Sequence, residues 1–240
     1  MGVPQVRAPL PFSERLEQLV RQGEYRRAET DEDREAIYRL RYEAYLREGT
    51  IQPSFGRRYS DRYDDLDNAW LIGLHLDGRL ASSFRVHVGT RDFPDIPAMQ
   101  VFREFVEPDI AAGKIVIDPT RFVVDARMAR LYPELPYLTV RIACLATEFF
   151  NADIVLATVR PEHRAFYRRV FGHVEACEPR PYPLLIKPVG LMKLDVASTA
   201  ASIARRYPSF TSTAEERAKV FGQWPTPAER APARSVPLAV

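Results

Sequence analysis

Residues 153–172 read DIVLATVRPEHRAFYRRVFG, and this stretch decides the fold. Asp153 to Thr158 is an apolar, β-branched run of strand length, the pattern of a strand buried on both faces. Pro161 occupies the favoured first position of a helix. Phe166, Tyr167 and Val170 then recur at helical spacing until Gly172 closes the turn. A core strand feeding directly into an amphipathic helix calls for a sheet with helices laid on it.

Working outward, Leu138 to Phe150 reads as a buried helix. Before it, Lys114 to Ile117 and Arg121 to Asp125 form a central strand broken at Asp118-Pro119-Thr120. Proline donates nothing to a ladder, so a kink or bulge is predicted there. Further upstream, Ala69 to Leu76 and Arg79 to Val88 flank Asp77-Gly78, a strong hairpin signal. The spacing of Ile37, Leu40, Ala44 and Tyr45 predicts a helix capped by Asp31 and stopped near Gly49. Ser13 is read as the cap of a short first helix, Tyr25 to Glu29 as a strand, and Met99 to Phe105 as a helix. Downstream, His173 to Cys177 and Gly190 to Asp195 read as strands, Ser198 to Arg206 and Ala214 to Phe221 as helices. The class is α+β, with one mixed central sheet flanked by helices. The expected organisation is an N-terminal helical extension (1–30), one main domain (31–196), C-terminal helices (197–221) and a flexible tail (222–240).

With 46% hydrophobic and 28% charged residues among 240, the chain can build a core. A net charge of +2 gives no reason to expect nucleic-acid binding. Two cysteines are too few for a disulfide scaffold or a thiolate metal cage, and no apolar run reaches membrane-spanning length. No signal-peptide pattern opens the chain, so a cytoplasmic protein is expected. Arginine supplies all but four of the 34 basic residues. A G- and C-rich genome would explain that as readily as anion recognition would.

Four segments carry chemistry. Arg41 borders the apolar stripe of its helix, where a charge is costly unless paired. Asp61, Asp64, Asp65 and Asp67 crowd one loop but lack the glycine and terminal glutamate of a calcium loop. Solvation, pairing with nearby arginines and recognition of an amine all suit them. Asp118 and Arg121 flank the predicted kink. Arg164, Arg168 and Arg169 line the outer face of the helix that opened this reading. The four histidines show no spacing with either cysteine that suggests a nucleophilic dyad.

These segments together resemble a known family. The order from Val159 through Phe166-Tyr167 to Gly172 is similar to the last strand–helix step of GNAT-type acyltransferases. Leu40-Arg41-Tyr42 with Tyr45, Asp61-x-x-Asp64, Arg85 and Asp118-x-x-Arg121-Phe122 resemble the ordered signature of acyl-homoserine-lactone synthases. YRLRYEAYLREGTI, SDRYDDLDNAW, DPTRFVVD, LPYLTVR and EHRAFYRRVFG look most like the related long-chain N-acyl amino acid synthases of the FeeM type. The match spans about residues 31 to 196. Tyr59 stands where the lactone synthases carry a glutamate, and Asp118 where they carry another, so an ordinary amino acid is favoured over S-adenosylmethionine.

The resemblance implies transfer of a long-chain acyl group from a thioester to an α-amino group. Asp118, Arg121 and Tyr167 are the implied catalytic residues, with Asp118 as base and Tyr167 protonating the leaving thiolate. Arg41, Tyr45, Asp61, Asp64, Arg85 and Phe122 would bind substrate, Arg85 and Arg121 taking the amino acid carboxylate. The stretch 127–136 holds no glycine and two prolines, a poor cradle for the pyrophosphate of CoA. The phosphopantetheine arm of acyl carrier protein is therefore the expected donor, its acidic surface meeting Arg127, Arg130, Arg141, Arg164, Arg168 and Arg169. No metal and no bound cofactor are expected, and transient membrane contact through the C-terminal helices is a further expectation. Two alternatives remain: a lactone autoinducer synthase, and a non-catalytic module that holds an acyl carrier or lipid.

Overall fold

The computed structural model describes residues 10–183 and 185–222; the tail expected beyond Gly222 lies outside the described residues. Seven strands form one sheet: β1 (Glu24–Arg27), β2 (Ala69–Leu76), β3 (Arg79–Gly89), β4 (Val116–Val124), β5 (Ile154–Val159), β6 (Val174–Glu175) and β7 (Gly190–Asp195). Their spatial order is β1-β2-β3-β4-β5-β7-β6, and every neighbouring pair is antiparallel except β4 with β5. Asp77 and Gly78 turn the β2–β3 hairpin with φ of 49° and 72°, the double positive φ that a two-residue turn demands.

Alternation along the strands sends side chains to two helical layers. On one face, α2 (Asp31–Arg47) sets Leu40 and Ala44 on Val123. On the same face α3 (Met99–Ala111) buries Phe102, Val106 and Ile110 against Val116 and Leu156. On the other face, α5 (Leu135–Phe150) covers Phe84, Val86 and Ile117. Leu16 and Leu19 of α1 (Phe12–Gln22) join that same cluster. So do Ile203 of α7 (Val196–Arg206), Phe210, and Val220 and Phe221 of α8 (Ala214–Phe221). The terminal helices are thus part of the main core, each fully buried large side chain contributing about 1.5–3 kcal/mol.

The structure departs from expectation at the caps. Thr30, not Asp31, caps α2; it has extended backbone and closes a capping box with Asp33, whereas Asp31 is already helical. Similarly α1 begins at Phe12 behind Pro11, and Ser13 makes no cap. The helix α3 runs six residues past the expected end, through Pro108, because the apolar repeat Phe102, Val106, Ile110 continues. A short helix, α4 (Ala126–Leu131), follows β4; it buries no residue and so leaves no apolar stripe to read. The strand β6 is only two residues long.

The most consequential difference lies in β4. The strand passes through Pro119 in register, Pro119 facing Val86 of β3. The bulge comes two residues later: the pairing slips between Ser83 and Arg85, and Arg121 takes φ 56°. On its other edge β4 pairs with β5 only at Val116 and Ile117. Beyond them Pro119 has no N–H to offer, and the two strands diverge.

Candidate active site

The bulge at Arg121 aims two arginines at one carboxylate. Arg85 Nη1 donates to Asp61 Oδ1 at 2.6 Å and to Asp64 Oδ1 at 2.8 Å, while its Nε reaches the Thr120 hydroxyl at 3.0 Å. Arg121 donates to Asp61 Oδ2 from Nε at 3.1 Å and again from Nη2. Arg41 Nη1 meets Asp64 Oδ1 at 2.7 Å. The loop is fixed from within as well: Asp61 accepts the Tyr63 N–H and Asp64 accepts the Asp61 N–H, a capping box around the 3-10 turn Arg62–Asp65. Burial alone would raise the Asp61 carboxyl, but Arg85 and Arg121 outweigh it and hold the group well below the usual carboxylate range.

Three of the expected substrate contacts lie inside this network. Arg41, Arg85 and Asp64 are buried and paired with one another, leaving only Nε and Nη2 of Arg41 without a hydrogen-bond partner among them. Asp61 and Arg121 sit at the network's edge. Arg121 lies under Tyr59 and Tyr45, its Cζ 4.8 and 5.9 Å from their ring centres.

Where β4 and β5 part, a cleft opens, lined by Tyr45, Arg121, Phe122, Thr158, Arg160 and Tyr167. Behind it lies a nearly apolar cavity between α5, α7 and the sheet, including Val140, Ala143, Phe171, Ile203 and Phe210. Phe84, Pro119, Leu156 and Tyr167 line both spaces, which places them side by side. Tyr167 thus stands at the junction, and burial raises its pKa, keeping the hydroxyl protonated. Arg121 also borders a third pocket, lined with it by Asp61, Arg62, Tyr63, Gln100 and Tyr182.

Asp118 lines none of these spaces. It is fully buried, its Oδ2 accepting the Ala98 N–H at 2.7 Å. Arg121 turns to Asp61 and does not touch it. Burial therefore dominates and pushes the Asp118 carboxyl up to about 7, against smaller lowering by the Ala98 N–H and Arg85.

Of the expected docking arginines, Arg127, Arg130, Arg168 and Arg169 are exposed. Arg164 is mostly covered and pairs with Glu175 at 2.6 Å. Arg141 is corrected outright: it is buried, clamped by Glu216 at 2.5 Å and by the Ser209 and Thr211 carbonyls. The reading along the chain missed Arg205 and Arg206, which α7 brings beside Arg168 and Arg169 around one surface hollow. It also missed Arg160 and His163 at the cleft; the Arg-Pro-Glu-His motif at the strand end was the available signal.

A mixed sheet split between two parallel strands, with an apolar cavity behind the split, defines a GNAT-like acyltransferase. The chain belongs to the FeeM family of N-acyl amino acid synthases, whose family model matches residues 36–195. The structure of FeeM, an N-acyl amino acid synthase from uncultured soil microbes, superposes with a TM-score of 0.58 at 18% identity, over 73% of this chain and 91% of that one. The acyl-homoserine-lactone synthase LasI gives 0.56 at 11% identity, over 83% and 94%. BjaI, a CoA-dependent acyl-homoserine-lactone synthase, gives 0.53 at 16%, over 79% and 92%. No curated protein sequence matches the chain.

Proposed function

We propose that this acyltransferase moves a long-chain acyl group from the phosphopantetheine arm of acyl carrier protein to the α-amino group of an amino acid. The observation that carries the reading is that the split-strand cleft and the apolar cavity lie side by side, sharing Phe84, Pro119, Leu156 and Tyr167 as walls. A thioester placed at Tyr167 would run its chain between α5 and α7. Phe84 and Phe122 face these spaces, whereas Phe102, Phe105, Leu138, Phe149 and Phe150 pack in the core.

The donor preference rests on the start of α4. In acyltransferases of this type a pyrophosphate needs free N–H groups after the fourth strand. Here the Asp125 carboxylate already accepts the Arg127 and Met128 N–H groups, each at 2.9 Å, and its charge repels phosphate. The CoA-dependent BjaI shares the fold, so the fold itself does not choose the donor.

The acceptor enters from the Tyr63–Gln100–Tyr182 side, and Arg121, common to both pockets, receives its carboxylate in partnership with Asp61. Backbone groups of β4 left unpaired by the split stabilise the oxyanion. Tyr167 protonates the departing thiolate. Asp118 is the titratable group that takes the ammonium proton, relayed past Tyr63 and Tyr182. The docking face is the cluster Arg168, Arg169, Arg205 and Arg206.

Expression in a bacterium lacking such lipids, followed by mass spectrometry of the solvent extract, tests the reading. Masses of fatty acid plus amino acid minus water support it and name both substrates. Lactone masses would replace the amino acid by S-adenosylmethionine. Purified protein that binds acyl carrier protein yet forms no amide with any amino acid would reduce the chain to a binding module.

A further inference from the structure

Two buried atoms next to each other in the sheet lack partners, and their chemistry is complementary. His87 on β3 and Asp118 on β4 are cross-strand partners in the ladder. Side chains so placed project from Cβ atoms about 5 Å apart on one face. His87 Nε2 lies 2.8 Å from the Tyr63 carbonyl, an acceptor only, so the ring proton sits on Nε2 and Nδ1 is left as a bare lone pair. Asp118 Oδ2 accepts the Ala98 N–H, so a proton on this carboxyl belongs on Oδ1. Nδ1 of His87 and Oδ1 of Asp118 are both buried with no hydrogen-bond partner. Leaving a buried polar atom unpaired is costly, and here there are two.

The other polar groups around the pair have partners of their own, Arg41 only in part. Arg85, beside His87 on β3, is held by Asp61, Asp64 and Thr120. Arg41 of α2 donates from Nη1 to Asp64 and faces the Tyr38 ring, while its buried Nε and Nη2 make no hydrogen bond. The Tyr182 hydroxyl donates to the Pro97 carbonyl, and the Tyr63 hydroxyl accepts from Arg62.

We propose that His87 is the positioning residue of Asp118, its Nδ1 accepting the proton on Asp118 Oδ1 and so holding the carboxyl as a neutral acid between turnovers. A rotation of either side chain, or one bridging water, closes the bond. The inference deepens the proposed transfer reaction and rests on it for the role of Asp118. The protons balance simply. The Oδ1 proton leaves to solvent before the amine arrives, and the ammonium proton then restores the acid. Burial keeps His87 neutral, its pKa pushed down to about 3, so the ring accepts without becoming charged.

Two measurements decide it. In protein labelled with 15N-histidine, His87 is expected as the Nε2–H tautomer with a hydrogen-bonded Nδ1, without titrating between pH 5 and 8. An Nδ1–H tautomer, an imidazolium or a free Nδ1 lone pair overturns the pairing without reference to activity. In the acyl-transfer assay, His87→Phe removes the acceptor and should move the rising limb of kcat/KM down by about one pH unit. Its plateau kcat should stay within about threefold. A limb that stays in place, with the plateau alone falling, would make His87 merely structural. Full turnover by Asp118→Asn would instead remove Asp118 as base, an outcome the nuclear magnetic resonance measurement distinguishes from failure of the pair.

Discussion

Three arginines and two aspartates hold the loop before β2 to the sheet, and losing one partner strands the others. Arg85→Met would leave Asp61 and Asp64 short of a cation in a buried setting; unfolding in urea should show a loss of about 3–5 kcal/mol. Asp118 behaves oppositely. Its pKa is about 7 when folded and 3.8 when unfolded, so the unfolded chain releases its proton first as pH rises. The stability held by the protonated group is complete below about 4, falls as pH climbs, and is lost above 7. Asp118→Asn should therefore melt above the wild type at pH 8, with the gap closing towards pH 4 in thermal scans. Much of this cluster was legible in the chain, because a charge bordering the apolar stripe at Arg41 demanded a partner. Its identity was not, since Asp64 lies 23 residues away and the pairing depends on how the 3-10 turn folds back. The separation of Asp118 from Arg121 was equally hidden: Asp118-x-x-Arg121 suggests a pair, but the bulge turns the arginine to Asp61.

Among elements, the divergence of β4 from β5 and the helix α6 (Arg164–Phe171) that follows β5 set the chemistry. Pro119 announced an irregularity, yet the bulge falls at Arg121 because the register on β3 decides where the extra residue goes. Tyr167→Phe keeps the packing against Phe166 and Phe171 and removes only the hydroxyl. Turnover should fall about 10²-fold or more with KM little changed if that hydroxyl is the acid, as steady-state kinetics would show. Reversing Arg168 and Arg169 to glutamate tests the docking face. Binding of acyl carrier protein, followed by calorimetry, should weaken most at low salt, and the difference should shrink as ionic strength rises. The helical stripe of α6 could be read directly, whereas the contribution of α7 to the same basic face required the tertiary fold.

For the whole molecule, the proposed transfer makes the apolar cavity the measure of acyl length. Ala143 lies on its α5 wall, and Ala143→Phe fills part of the space. The expected product distribution shifts to shorter acyl chains by mass spectrometry, with the amino acid unchanged. A fragment of residues 31–196, close to the extent of the family match, would lack both terminal packings and should lose its cooperative thermal transition. The boundaries of those terminal helices were readable from periodicity; their membership in the central cluster was not, because nothing local records which face of the sheet they close. That closure has a temporal side. The Trp70 indole donates to the Phe221 carbonyl across 151 residues, and α8 seals β1 and α5. During synthesis the hairpin that carries Trp70 leaves the ribosome long before its last neighbour exists. The nascent chain must keep that apolar face shielded by other means until α8 emerges. Translation speed and chaperone supply should therefore govern the yield of this enzyme more than the strength of any single contact within it.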